Sequence, residues 1–341
     1  MRKLYFLVPG TTGKFGGGGL WAELNTCKLA QQVCEAEIVT YRQRESQHAF
    51  LADILPNSDR EAWAKSNRQS AIFIIGWGFD VPKIMAQLPG QNIIYHAHSA
   101  NYGFSLPSNV PIITVSRNTM GYWGEKAANS LIYYLPNQIS DEFCNLQQTR
   151  DIDILVQTRK SSEYLLGQLI PALQALYRVE IINSYVADLT GLFNRSKIYL
   201  YDSAEYWATS GVTEGFGLPP LEALACGCQV FSSVNHGLAD YLDPGFNCHK
   251  IAGYSLEYDL KRISEVLQLS NLNADSNANL WLAEYRSDRL IARLQVILTE
   301  INQFFDCQSH LKTKIKNLDS QRIQQLKIKQ LWRKLQRKLT L

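Results

Sequence analysis

The sequence predicts an α/β protein of two domains, each built on a parallel sheet covered on both faces. Three observations carry this. Short, almost continuously apolar runs occur in two sets with helix-like segments between them, as strands buried on both faces require. Two glycine-rich loops, PGTTGKFGGGG (Pro9–Gly19) and EGFGLPPLEALACG (Glu214–Gly227), each feed a helix. The length, 341 residues, suits two domains that each bury a core. A hydrophobic content of 46% with 19% charged residues is that of a soluble globular chain.

Taken in order, Lys3–Val8 is the first strand, and the loop after it leads into a helix from Leu20 to about Cys34. Ala36–Tyr41, Ala71–Gly76, Asn92–Tyr95 and Ile112–Val115 complete the first set. The second set begins with DILVQ at Asp153, passes Val179–Ile182 and Lys197–Tyr201, and ends at Gln229–Ser232. The seam falls at Pro136-Asn137-Gln138. Ser287 is placed to cap a long helix whose apolar positions, Leu290, Ile291, Leu294, Ile297, Leu298, Ile301, Phe304 and Phe305, follow the 3.6-residue period. The expected divisions are 1–137, 138–306 and a tail, 307–341.

The N-terminal apolar stretch in MRKLYFLVPG is too short for a secretion signal or a membrane span. Seven cysteines without a CxxC pair favour a reducing, cytoplasmic setting. Cys226, Cys228, Cys248 and His249 have poor zinc spacing and read as buried thiols and a neighbour. From Lys312 to Leu341 there are ten Lys or Arg residues and one acid, Asp319. That surplus of +9 leaves about −6 on residues 1–311 of a chain whose net charge is +3, so the body is not a nucleic-acid binder by charge. In the tail, Ile328, Leu331, Trp332, Leu335 and Leu339 form one helical stripe. Lys327, Lys329, Arg333, Lys334, Arg337 and Lys338 take the opposite arc. A basic helix with a Trp-bearing apolar face over 326–341 is the pattern of an interfacial anchor on an anionic membrane, and points to a cytoplasmic protein peripheral to its inner face. Packing on the chain's own acidic surface, or on a partner protein, are the alternatives.

The second glycine loop is the most informative segment. Gly215 and Gly217 permit close backbone approach or positive φ, Pro219 and Pro220 suit the first turn of a helix from Leu221 to Cys226, and Gly227 suits a left-handed stop. A glycine loop at a helix N-terminus is an anion site. Two acids flanking it, Glu214 and Glu222, make sense for a phosphorylated ligand that also carries hydroxyls, as a nucleotide-sugar does.

With the strand CQVFSS that follows, this E-x7-E segment resembles the retaining glycosyltransferases of family 4, which have the GT-B fold of two Rossmann-like domains facing a central cleft. The resemblance implies that Glu222 accepts hydrogen bonds from ribose and that Glu214 contacts the donor sugar near its anomeric carbon. It implies that Gly215, Phe216, Gly217 and Leu218 offer backbone N–H groups. It also implies an NDP-sugar donor, a carbohydrate or lipid-linked acceptor, cell-surface polysaccharide or glycolipid synthesis, and no metal or other cofactor. The first domain is then the acceptor side and the second the donor side, with the long C-terminal helix crossing back to the first domain.

Lys14-Phe15-Gly16-Gly17 resembles the K-x-G-G loop of glycogen and starch synthases, which faces the donor phosphates; for Lys14 a solvated loop charge is the alternative. A dinucleotide site is unsupported, because Tyr41 and Arg42 stand where an acid is needed, and Phe15 rules out a P-loop. Arg159 aligns with the arginine that family members place on the diphosphate. Their usual lysine falls at Tyr164, so Lys160 is the candidate substitute. His96 and His98 follow a strand at the carboxyl edge of the first sheet, where ligands bind in open sheets. His98 is the preferred site residue, since the strand directs His96 into the core; a structural role remains open for either. Ser116 and Arg117 resemble the family's V-S-x strand end on the acceptor side. Asp151-Ile152-Asp153 has the letters of a metal-binding pair but opens a buried strand. An epimerase or phosphorylase, or a non-catalytic relative serving an active transferase as scaffold, are the other readings.

Overall fold

The computed structural model describes residues 1–55, 66–251, 253–268, 281–307 and 320–339. The first sheet contains β1 (Lys3–Val8), β2 (Ala36–Thr40), β3 (Ala49–Phe50), β4 (Ala71–Ile75), β5 (Ile93–Ala97), β6 (Ile112–Thr114) and β7 (Ile132–Tyr134). Their order is β3-β2-β1-β4-β5-β6-β7, with every pairing parallel. The second sheet contains β8 (Ile152–Gln157), β9 (Val179–Ile182), β10 (Ser196–Tyr201), β11 (Gln229–Ser232) and β12 (His249–Lys250), in the order β12-β11-β10-β8-β9, again all parallel. In both sheets the order reverses beside the first strand, which opens a crevice at the carboxyl ends. The two crevices face each other.

Continuous apolar strands give each sheet two buried faces. β4 is buried at all five positions, with Ile72 and Ile74 turned to one core and Phe73 and Ile75 to the other. The helix Ser287–Cys307 follows the second sheet in sequence but packs on the first. Leu290, Leu294, Ile297, Leu298, Ile301 and Phe305 are buried against Leu4, Ile72, Ile74 and Ile94. Its 3.6-residue stripe thus finds its partner one domain away, and Gln138 at the seam donates to Ser287 Oγ at 2.7 Å.

Several boundaries differ from the sequence expectation. The first helix is Gly18–Ala30, earlier at both ends, because residues 31–34 tighten into turns closed on Leu29 and Ala30. β5 runs to Ala97, so His96 is a strand residue and His98 the first position beyond it. The second glycine-loop helix starts at Leu218, with both prolines in its first turn, and Gly227 takes φ +84° behind it. Asp151 pairs with Arg178 and Arg195 and Asp153 with Lys197, all at the amino-terminal ends of the strands. Cys226, Cys228 and Cys248 are buried thiols.

Residues 320–339 form a helix. Ile323, Ile328, Leu331, Trp332 and Leu335 are all exposed on it, between 41% and 63%, so the body does not cover this face. The tail positions Lys312, Lys314, Lys316 and Asp319, and the side chains of Lys338 and Leu339, lie outside the described residues. Among the described residues no helix is long and apolar enough to cross a membrane.

Candidate active site

A cavity of about 300 Å³ lies between the two sheets, lined by Gly18, Gly19, His98 and Asn137 from one side and by Arg159, Lys160, Trp207 and Glu214–Pro219 from the other. It continues into a second cavity of about 490 Å³ that shares Gly18, Gln157, Arg159 and Pro219 and adds Gly16, Gly17, Asn183 and Tyr185.

Glu214 is the best-held side chain in the first cavity. It is 5% exposed, and its Oε2 accepts from Tyr201 OH and Trp207 Nε1 at 2.7 Å each and from Ser203 Oγ at 3.3 Å. Three donors on one oxygen fix the carboxylate and leave Oε1 to Lys160, whose Nζ is 3.9 Å away. Lys160 holds φ +70°, a left-handed conformation uncommon for a lysine, and its Nζ stands 4.3 Å from the Trp207 ring centroid. Burial lowers the Lys160 pKa, with Glu214 opposing and Arg159 reinforcing that shift. Arg159 is exposed at the junction of the two cavities.

The expected lysine position, Tyr164, belongs to the core. Its hydroxyl donates to Asp259 at 2.8 Å and its ring stacks on Tyr254. Lys160, not Tyr164, is therefore the second-domain cation that accompanies Arg159.

The glycines of the loop serve packing as much as ligand access. A Cβ on Gly215 would lie 1.6 Å from the His98 carbonyl oxygen, so the two domains touch here through bare backbone. Gly217 takes φ +79° and would also strike Leu238. Beside them Ser99 Oγ donates to the Thr213 carbonyl at 2.6 Å, and Ala100 N donates to Thr213 Oγ1 at 3.0 Å. The Phe216 ring is 2% exposed and packs against Tyr241 and Tyr285, which leaves its backbone to face the cavity. Glu222 is half-buried and has no side-chain hydrogen bond among the described residues; burial first, then Glu142, pushes its pKa up to about 8. It does not line the two cavities, and sits one helix turn behind Leu218.

Other candidates lie elsewhere. Lys14 is exposed, with Nζ over the Phe15 ring, and lines neither cavity. Arg117 faces a separate interdomain pocket with Asp240, Tyr134 and Arg293, because its backbone N–H donates to Asp240 and its guanidinium covers the Tyr134 ring. His96 is 1% exposed, whereas His98 lines the interdomain cavity. Both histidines meet Glu23, a residue that sequence reasoning passed over: it sits mid-helix in WAELN, with nothing around it to mark it as internal. Tyr201, Ser203 and Trp207 were missed for the same reason, since only the fold brings them to Glu214.

Two facing parallel sheets, a cleft at their carboxyl ends and the helix Ser287–Cys307 returned to the first domain decide the architecture. The fold is GT-B. Sucrose-phosphate synthase from Thermosynechococcus elongatus has the same fold at 13% identity, covering 88% of this chain and 99% of that one, with a TM-score of 0.62. A glycosyltransferase from Rickettsia africae matches at 12% identity over 88% of this chain and 98% of its own, with a TM-score of 0.62. Anabaena HepE, solved with UDP and glucose, matches at 14% identity over 88% of this chain and 100% of its own, with a TM-score of 0.61. Residues 159–279 match the family model described as glycosyl transferases group 1, a stretch that includes Arg159, Lys160, Glu214 and Glu222. No curated protein sequence matches the chain. The family match and the fold together support glycosyl transfer.

Proposed function

We propose that the protein is a retaining glycosyltransferase that moves a sugar from an NDP-sugar to an acceptor hydroxyl. The observation that carries this reading is the convergence of Arg159, Lys160, Glu214 and His98 on one interdomain cavity. The diphosphate suits the Arg159 end, where the Gly16–Gly18 loop and the N-terminus of helix Leu218–Ala225 also meet the cavities. The sugar then lies between Glu214 and His98. As the bond from the anomeric carbon to the phosphate oxygen breaks, Arg159 and Lys160 stabilise the departing charge. The acceptor oxygen bonds to the same face of the anomeric carbon, and its proton passes to a leaving phosphate oxygen. Glu214, held on Oε2 by three donors, supports the sugar and the charge that builds at its anomeric carbon.

The test is a thermal-shift screen of NDP-sugars on the full chain, followed by assay of NDP release with and without acceptors. UDP-glucose is the first probe, because HepE was also solved with it. A donor that raises Tm and is slowly hydrolysed supports the enzyme. No binding and no release across the panel would leave the scaffold reading in its place. Arg159→Ala should weaken the nucleoside diphosphate while leaving the nucleoside unaffected, as calorimetry can read.

The exposed, Trp-bearing face of helix Ser320–Leu339 supports docking on an anionic membrane surface, where each basic residue contributes about 1 kcal/mol. That location suits a lipid-linked acceptor. The full chain should sediment with anionic vesicles in a salt-sensitive way and a chain ending at residue 311 should not; equal behaviour would remove the membrane from the proposal.

A further inference from the structure

Beneath the cleft, two buried side chains of the first domain meet a half-buried one. His96 Nδ1 and His98 Nε2 converge on one oxygen, Glu23 Oε2, at 2.5 and 2.8 Å. Glu23 is 3% exposed, and its other oxygen, Oε1, has no hydrogen-bond partner. The room for it comes from Gly76 at the end of β4, where a Cβ would lie 2.6 Å from Oε1.

The ligating atoms lie within 4.8 Å of one another, the spacing of a metal centre. Two nitrogens already at hydrogen-bond distance from the same oxygen are a poor cage, however. An ion with bonds of about 2.0–2.2 Å would have to push them apart. Hydrogen bonding satisfies the geometry as it stands. Burial opposes a charge on Glu23, but His96 and His98 outweigh it and hold its pKa at about 2. The ionised carboxylate can only accept, so both nitrogens on it must be N–H donors. Burial, then His96, lowers the His98 pKa, which favours the neutral ring. A neutral ring that spends its Nε2–H on Glu23 carries its lone pair on Nδ1. His98 is the member of the trio that reaches both the interdomain cavity and an adjoining, mostly apolar one of about 170 Å³ bounded by Leu20, Trp77 and Tyr102.

We propose that Glu23 is a positioning residue that locks His98 in its Nε2–H tautomer, making Nδ1 an acceptor for a substrate hydroxyl rather than a proton donor. The hydroxyl half rests on the sugar-transfer reading; the tautomer half does not. The tautomer is read on the full chain, labelled with 15N-histidine and free of substrate, by long-range 1H–15N correlation at pH 7. His98 is assigned from its loss in His98→Gln. The expected result is a single neutral Nε2–H pattern in the wild type and a new Nδ1–H population in Glu23→Leu, which keeps the side-chain bulk but has no acceptor. An Nδ1–H or doubly protonated His98 in the wild type overturns the proposal, as does an unchanged His98 in folded Glu23→Leu. Stoichiometric zinc in protein purified without chelator overturns it too. If Glu23→Leu does not fold, the wild-type spectrum decides alone. Once a donor is known, His98→Phe should lose about tenfold or more in kcat/KM; an unchanged value would overturn the hydroxyl half and leave the tautomer standing.

Discussion

Glu214 and Glu222 occupy unlike surroundings although one motif carries both. Glu214 is saturated on one oxygen by Tyr201, Trp207 and Ser203, whereas Glu222 has no such partners and is pushed up to about 8 by burial and Glu142. Their substitutions should therefore separate. Glu222→Ala should lose about two- to tenfold in nucleotide affinity, about 0.5–1.5 kcal/mol for a hydrogen bond to a carboxyl that is largely protonated at pH 7, with turnover at saturating donor retained. Glu214→Ala should instead lower turnover. Equal affinity losses in both variants, with turnover intact, would defeat the division. Linkage makes a second prediction at Glu222. The folded state binds a proton that the unfolded chain releases above its ordinary value of 4.5, so stability falls as pH rises from there through about 8. Glu222→Gln should raise Tm over wild type at pH 8.5 and change it little at pH 4, as scanning calorimetry would register. Gly215 offers a steric counterpart. Gly215→Ala places a methyl group 1.6 Å from the His98 carbonyl oxygen, and overpacking of about 1–3 kcal/mol should appear as a lower unfolding midpoint together with lost activity.

At the level of elements, apolar runs located the strands because buried parallel strands leave little room for polar residues. The helix Ser287–Cys307 was legible because its stripe is long and regular, though periodicity alone could not say which sheet would take it. The sequence was least informative where contacts cross the chain. His96 and His98 read as a pair after a strand, but the carboxylate they share is 73 and 75 positions away. The Glu214 clamp likewise depends on where β10 ends and on the turn of helix that carries Trp207. For Phe216 the glycine loop suggested only a backbone role, and nothing in it announced that the ring would anchor the loop on Tyr241 and Tyr285. Two helices that look alike in pattern should behave differently on perturbation. Leu298→Ala, in the crossing helix, opens a fully buried site and should cost about 2–5 kcal/mol in urea unfolding. Removing residues 312–341 should leave the unfolding midpoint unchanged, since the apolar residues of helix Ser320–Leu339 that are described lie in solvent. A drop comparable to that of Leu298→Ala would mean that the tail packs on the body after all.

For the molecule as a whole, two parallel sheets are joined at opposite places. The crossing helix binds the second half to the first far from the cleft, and backbone contact at Gly215 closes the cleft itself. Between these, Ser99, Ala100 and Thr213 exchange buried hydrogen bonds of 2.6, 3.0 and 3.1 Å immediately beside Glu214. Widening the cleft breaks all of them at once. Under the proposed transfer reaction, this clasp is expected to set how long a spent nucleotide stays before the next cycle begins, a property of time rather than of affinity for the donor sugar. Ser99→Ala removes the hydroxyl that both donates to and accepts from Thr213. It should speed nucleotide dissociation about tenfold in a stopped-flow chase, the equivalent of about 1.4 kcal/mol. If release is the slow step of the cycle, the same variant turns over faster than the wild type. A dissociation rate that does not move would place the gate elsewhere in the chain.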